Sequence, residues 1–376
     1  MDVALQRLLL GRDGRSQLLT GLRGVGKTVL LNEFEQVADA RGLFHEHLEV
    51  GEEGTLAPAL VGALRRVVLA MDAKKRIGLR ARHALGVLKA FNLRLPDGAE
   101  IHIDVDAAVG TADSGDLGAD LADVFVELGQ VARDHATGVL ITVDELHYVD
   151  GPTLTALIVG LHRATQLGLP ITVAGAGLPS LVAVAGEAKT YAERMFTFPQ
   201  VGSLSPELAI DALVVPAADE GVSWDDDALA RVLEITEGFP YFIQEFGKTA
   251  WDVAGGSDRI TADDVERSVP VAIAQLDDGF FRVRVGRTND SERRYLRAIA
   301  ELGPGPVRSG DVALLLGATA QSVGPTRDSL LKRAICYAPR RGEIAFTVPL
   351  FDAFMRRWIP VAPRRAGDIP RPTRHR

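Results

Sequence analysis

One cysteine, Cys336, stands in 376 residues. A lone thiol excludes an internal disulfide framework and any multi-cysteine metal site, and it fits a reducing compartment. Long hydrophobic runs are missing too: no stretch of eighteen or more apolar residues occurs, so no membrane span is expected. The opening "MDVALQRLLLGRDGR" has no basic region before its apolar stretch and no small-residue cleavage site. No secretory signal is therefore expected, and the cytoplasm is the expected location. Aromatic residues make up only 6%, yet 47% of the chain is apolar and 24% charged, the balance of a soluble globular protein rather than a disordered one. One hydrophobic core rarely supports a chain of this length, and two or three domains are expected.

Positive charge is in deficit overall, with a net −8, but it gathers at one end. From Gln321 onward twelve Lys/Arg stand against four acids, a local +8 that leaves −16 on the rest. Wholesale coating of nucleic acid is excluded by that balance. The basic end has two readings, a surface for a polyanionic partner or a merely solvated tail.

What is present begins with "SQLLT" (16–20), read as a short strand, followed by "GLRGVGKT" (21–28) and a helical stretch "KTVLLNEFEQVADARG". A strand at 43–50 and a helix at 55–70 continue the rhythm of a parallel α/β sheet. Residues 89–107 alternate in two runs around Pro96, Asp97 and Gly98, which predicts an inserted hairpin, and 117–136 returns to helix. "GVLITVDELHYVD" (138–150) is an almost unbroken apolar run ending in two acids, as for a strand buried on both faces. A helix (153–166), a strand (170–177), a helix (178–194) and a last strand (195–201) complete about five parallel strands. From Ser205 to about Phe281 the pattern is all-helical. Three helices and a β-ribbon ending in "APRRGEIAFTV" follow, the order of a winged-helix domain. The expected domains are a nucleotide-binding core (1–203), a helical region (204–284), a winged helix (285–360) and a disordered basic tail (361–376).

Gly21, Gly26, Lys27 and Thr28 satisfy G-x-x-x-x-G-K-[ST] after a strand and before a helix. Glycines let backbone N–H groups curl around phosphate oxygens, and the helix start adds its positive end. Lys27 is expected at the β- and γ-phosphates and the Thr28 hydroxyl at Mg²⁺. The whole stretch Gly21, Leu22, Arg23, Gly24, Val25, Gly26, Lys27, Thr28, with Val29 behind it, is expected to line ATP or ADP. Asp144 at the end of the buried strand would hold the metal's water shell, and Glu145 would orient or deprotonate the attacking water. Taken alone, this acidic pair also reads as a strand end reaching solvent.

"GLRGVGKTVLL" and "VLITVDELHYV", with a helical region and a winged helix after them, resemble an AAA+ ATPase of the origin-recognition-complex type, close to the signal-transduction ATPases with numerous domains. The resemblance implies a P-loop NTPase fold, ATP and Mg²⁺ as cofactors and a helical lid over the nucleotide. It places Arg194, in "YAERMFTF", where the family carries an arginine reaching the γ-phosphate of a neighbouring subunit in a homo-oligomer; the other reading is an ordinary surface arginine. Gly238, Phe239 and Pro240 resemble the lid's glycine-x-proline turn, with Pro240 at the nucleotide. Two positions depart. "ITVAGAG" lacks the family's polar sensor residue, and Tyr241 occupies the place of a sensor arginine. Together they predict retained binding and slow hydrolysis. The family's upstream glycine-arginine-acid stretch is also missing, since "LLLGRDGR" lies too close to the loop, so base recognition is unassigned and a truncated or late-starting chain is expected.

His45 and His47 share a strand face, which fits either a metal pair or a strand packed on a helix. "QSVGPTRDSLLKRAICY" would be the recognition helix, with Arg327, Lys332 and Arg333 beside the wing. Duplex DNA, through this helix and the basic tail, is one expected partner; docking or oligomerisation through the winged helix is another. The leading reading is a switch ATPase coupling nucleotide state to the winged helix. The others are a DNA-binding module with a structural nucleotide site, and a scaffold for an unknown protein partner in signalling or defence.

Overall fold

A computed structural model describes residues 1–12, 14–72, 78–95, 105–188 and 192–360. The chain divides into two compact units, Met1–Gly21 with Lys27–Gln200, and Leu22–Gly26 with Val201–Arg376. Among the described residues no helix is long and apolar enough to cross a membrane.

The first unit opens with α1 (Asp2–Leu9), β1 (Ser16–Thr20), α2 (Lys27–Ala40), β2 (Phe44–Glu49), α3 (Ala57–Asp72), α4 (Leu79–Arg94) and α5 (Leu117–Asp134). It continues through β3 (Val139–Asp144), α6 (Gly151–Gln166), β4 (Ile171–Gly177), α7 (Leu181–Ala188), α8 (Ala192–Met195) and β5 (Phe196–Thr197). The five strands are parallel in the order β2-β3-β4-β1-β5. This is an α/β P-loop fold. Every residue of β3 and β4 is buried, as apolar runs covered on both faces require. The register sets Leu18 and Val143 both opposite Gly175, so β1, β3 and β4 end at one level. Ligands of open α/β sheets sit beyond such carboxyl ends. On one face α5 and α6 approach closely because Gly160 has no side chain; a Cβ there would meet the Phe125 ring at 2.6 Å.

Three expectations need correction. Lys89–Arg94 are not a hairpin strand but the end of α4, whose buried Ala81, Ala84, Leu85, Leu88 and Phe91 form one continuous helical face. The turn at Pro96–Gly98 and the run to Asp104 lie outside the described residues, and Val105–Ala107 form no strand. The helix expected over 178–194 is two, Leu181–Ala188 and Ala192–Met195, with 189–191 outside the described residues. The last strand shrinks to Phe196–Thr197 plus a bridge between Thr20 and Gln200. Pro199, with no N–H, accepts from Thr20 N but cannot donate onward, which breaks the ladder.

The second unit carries α9 (Pro206–Asp219), β6 (Ser223–Trp224), α10 (Asp226–Thr236), α11 (Pro240–Ala254), β7 (Arg259–Ile260) and α12 (Ala262–Gln275). A π-helical turn (Leu276–Phe281) leads into α13 (Arg282–Val285). Ser205 and Thr261 cap α9 and α12 by side-chain oxygen, Thr261 in a reciprocal box with Asp264. At α10 the cap residue is Asp225, whose carboxylate is taken by Arg259 instead. The unit ends with α14 (Asp290–Leu302), β8 (Val307–Arg308), α15 (Ser309–Leu315), α16 (Ala320–Lys332), β9 (Cys336–Tyr337), β10 (Glu343–Phe346) and α17 (Phe351–Trp358).

Helix, strand, two helices and a hairpin, with sheet order β8-β10-β9, is winged-helix topology. Two elements here escaped the sequence reading, β8 and α17, whose Phe351, Phe354 and Met355 fill the core. The expected recognition helix stops at Lys332, before the left-handed Ala334, and its last two residues become β9. The tail 361–376 lies outside the described residues.

Candidate nucleotide site

β1 delivers Gly21 to the sheet's carboxyl edge, where its N–H donates to Gly177 O at 3.2 Å. Lys27 opens α2; it is only 8% exposed, and its Nζ donates to Gly21 O at 3.1 Å, so the ammonium lies along the loop it follows. Thr28 Oγ1 donates to Asp144 Oδ2 at 2.5 Å across 116 positions of sequence. A hydroxyl touching a carboxylate at the start of a helix is the donor pair that a Mg²⁺ ion bound with nucleotide would take, so these residues fit the cation. Asp144 is itself 6% exposed, and its second oxygen accepts from Glu145 N at 2.7 Å.

Glu145 sits at φ 53°, ψ 32°, a left-handed conformation that costs a non-glycine residue about 1–3 kcal/mol. The chain turns there from β3 into a one-turn 3-10 helix, Leu146–Tyr148. Glu145 Oε2 lies 3.3 Å from His147 Nδ1. Sequence reading missed this histidine; the only signal was its place two residues after the acidic pair.

The loop residues between Gly21 and Lys27 belong to the second unit. Gly24 and Gly26 have φ of +86° and +92°. Gly26 needs only that angle, since a Cβ there would meet open space, whereas at Gly24 it would also meet Phe239 and Tyr241 at 3.1 Å. Tyr241 N donates to Gly24 O at 3.1 Å, and Arg23 N donates to Thr347 O at 3.2 Å. Val25 is 5% exposed in a core that includes Phe239, Phe242 and Ile243, and Leu22 packs on it. Pro240 is half-buried at the start of α11, after the left-handed pair Glu237 and Gly238. A Cβ on Gly238 would strike Leu204 O at 2.6 Å.

The two departures from the family pattern have packing explanations. Tyr241 stacks on Phe280 with centroids 4.5 Å apart, and burial pushes its hydroxyl above the ordinary pKa. At the end of β4, Gly175 and Gly177 are hemmed in: a Cβ would lie 2.7 Å from Leu18, 2.8 Å from Leu146 and 2.9 Å from Leu181. A side chain at either glycine would have to displace these leucine methyls. Val29 is 62% exposed, and Arg194 is exposed on α8. His47 Nδ1 lies 2.9 Å from Glu35 and 3.0 Å from Thr142, and His45 Nε2 lies 3.1 Å from Asp39. The pair thus packs against α2. No group of three His, Cys, Asp or Glu among the described residues is placed to hold a metal ion.

Residues 2–174 match a family described as an AAA ATPase domain. The match spans β1, the loop and β3. Residues 278–355 match a second family, described as a domain of unknown function (DUF8462), over the winged helix. No curated protein matches the chain. Solved structures similar to it include the RuvB Holliday junction branch migration motor of Thermotoga maritima, 15% identical, TM-score 0.45, over 91% of this chain and 88% of that one. Cdc6p of Pyrobaculum aerophilum is 17% identical, TM-score 0.44, over 95% and 93%. ORC1 of Aeropyrum pernix, solved with DNA, is 15% identical, TM-score 0.43, over 96% and 92%.

Proposed function

We propose that the chain is a slowly hydrolysing switch ATPase of the origin-recognition-complex-like or signal-transduction type, coupling Mg·ATP to its winged helix. The observation that carries this reading is the contact of Thr28 Oγ1 with Asp144 Oδ2, a loop hydroxyl on a strand-end carboxylate. Lys27, Thr28 and Asp144 would hold Mg·ATP, and Glu145 would orient the water and take its proton. When bound, the nucleotide supplies the phosphoanhydride and its cation neutralises charge on the phosphates. Tyr241, stacked on Phe280 and without the positive charge of a sensor arginine, and the crowded end of β4, without a polar side chain, support slow turnover. Exposed Arg194 is available to a neighbouring subunit in a homo-oligomer. The lid (204–284) and winged helix (285–360) would respond to nucleotide only as far as its affinity differs between two states.

The test is ATP binding and turnover of Lys27→Ala and Glu145→Gln. Lys27→Ala is expected to lose binding at least tenfold, and Glu145→Gln to keep binding and lose hydrolysis. Unimpaired ATP binding by Lys27→Ala sinks the site assignment. A second reading, duplex DNA binding by the winged helix, is favoured by Arg308 on β8 and by Arg340 and Arg341 in the β9–β10 turn, all exposed.

A further inference from the structure

His147 is the buried side chain that faces the expected base directly. Its side chain is 7% exposed against 29% for Glu145, with Nδ1 3.3 Å from Glu145 Oε2, and both ring nitrogens are buried. The Tyr148 ring lies against that of His147 with centroids 4.3 Å apart and planes tilted by 35°. Gly177, closing β4, leaves room for its backbone: a Cβ there would come within 3.3 Å of His147 N and 3.6 Å of His147 Cβ. A carboxylate only accepts, so a hydrogen bond between the two requires the hydrogen on Nδ1.

The backbone beneath this pair is constrained as well. Glu145 is left-handed, its N–H donates to Asp144 Oδ1 at 2.7 Å, and its carbonyl accepts from Tyr148 N at 3.0 Å. These contacts set the direction in which the Glu145 side chain leaves the chain, but not the rotation of its carboxylate. A contact at Oε2 sets that rotation.

We propose that His147 is a positioning residue for hydrolysis. It holds Glu145 by Oε2 and thereby presents Oε1 to the attacking water. The proposal rests on the reading of Glu145 as the group that orients that water.

The experiment measures ATP affinity and steady-state turnover of the full chain carrying His147→Leu, His147→Asn, His147→Gln or Glu145→Gln. His147→Leu is expected to leave Kd and KM within about twofold while kcat falls on the order of tenfold, the scale at which groups one step removed from the reacting atoms act. His147→Asn carries an amide N–H where Nδ1 lies and is expected to recover most of kcat; His147→Gln, whose amide sits at the ε position, is not. Wild-type kcat in His147→Leu overturns the proposal, and so does equal turnover in the Asn and Gln variants. That second comparison decides the matter if the Leu variant fails to fold. Wild-type turnover by Glu145→Gln removes the reading of Glu145 and this proposal with it. An inactive Glu145→Gln beside an unimpaired His147→Leu removes the positioning role alone.

Discussion

The Thr28 hydroxyl and the Asp144 carboxylate are 116 positions apart in sequence and in contact in the fold. Their residue types were legible in advance because phosphate and cation chemistry admits few substitutes at those places. Gly175 and Gly177 were not, since only the approach of Leu18, Leu146 and Leu181 shows how crowded their surroundings are. Cys336 offers a check at the same scale. Its thiol is buried on β9, and burial pushes its pKa far above the ordinary value. Because the thiolate is the reactive form, iodoacetamide should leave the folded chain unlabelled over hours and label it stoichiometrically in guanidinium. Rapid labelling under native conditions would contradict the placement of β9.

Among the elements, buried strands and amphipathic helices were readable from period and composition: β1 lies where its sequence put it, and β3 and β4 are fully buried. The errors came where two periods overlap. "KAFNLR" alternates over a few residues, but it prolongs a face begun eight residues earlier at Ala81, and the longer pattern won. Two-residue strands such as β5 and β8 carry no periodic signal at all. In the winged helix, residue roles follow from what each arginine touches. Arg327 donates to Ser309 Oγ at 3.1 Å and to Glu343 O at 3.2 Å, tying α15 and the wing together. Replacing it with Ala should lower the unfolding midpoint by a few degrees. Replacing the exposed Arg340 and Arg341 together should leave that midpoint unchanged within a degree, weaken any duplex DNA binding severalfold and flatten its salt dependence by about two log units per log salt. DNA affinity equal to wild type in the double variant would remove the wing from the interface.

For the whole molecule, the acidic body and basic end describe charge but say little about how the chain is partitioned. The informative fact is that Leu22–Gly26 belongs with the second unit while the residues before and after it belong with the first. Val25, 5% exposed, is part of a core whose other members come from beyond position 200. Val25→Ala should therefore cost about 1–3 kcal/mol in the unfolding of the second unit, followed by the fluorescence of Trp224 and Trp251. An unchanged transition would show that the loop residue does not support that core. Chains of this composition invite treatment as interchangeable modules, to be cut at a linker and recombined. Here the backbone passes between units at three places, after Gly21, Gly26 and Gln200, so no single cut separates them. A gene fragment starting at Val201 would encode a fold missing one of its own core residues, and recombination that swaps one half of such a protein must carry five residues of the other.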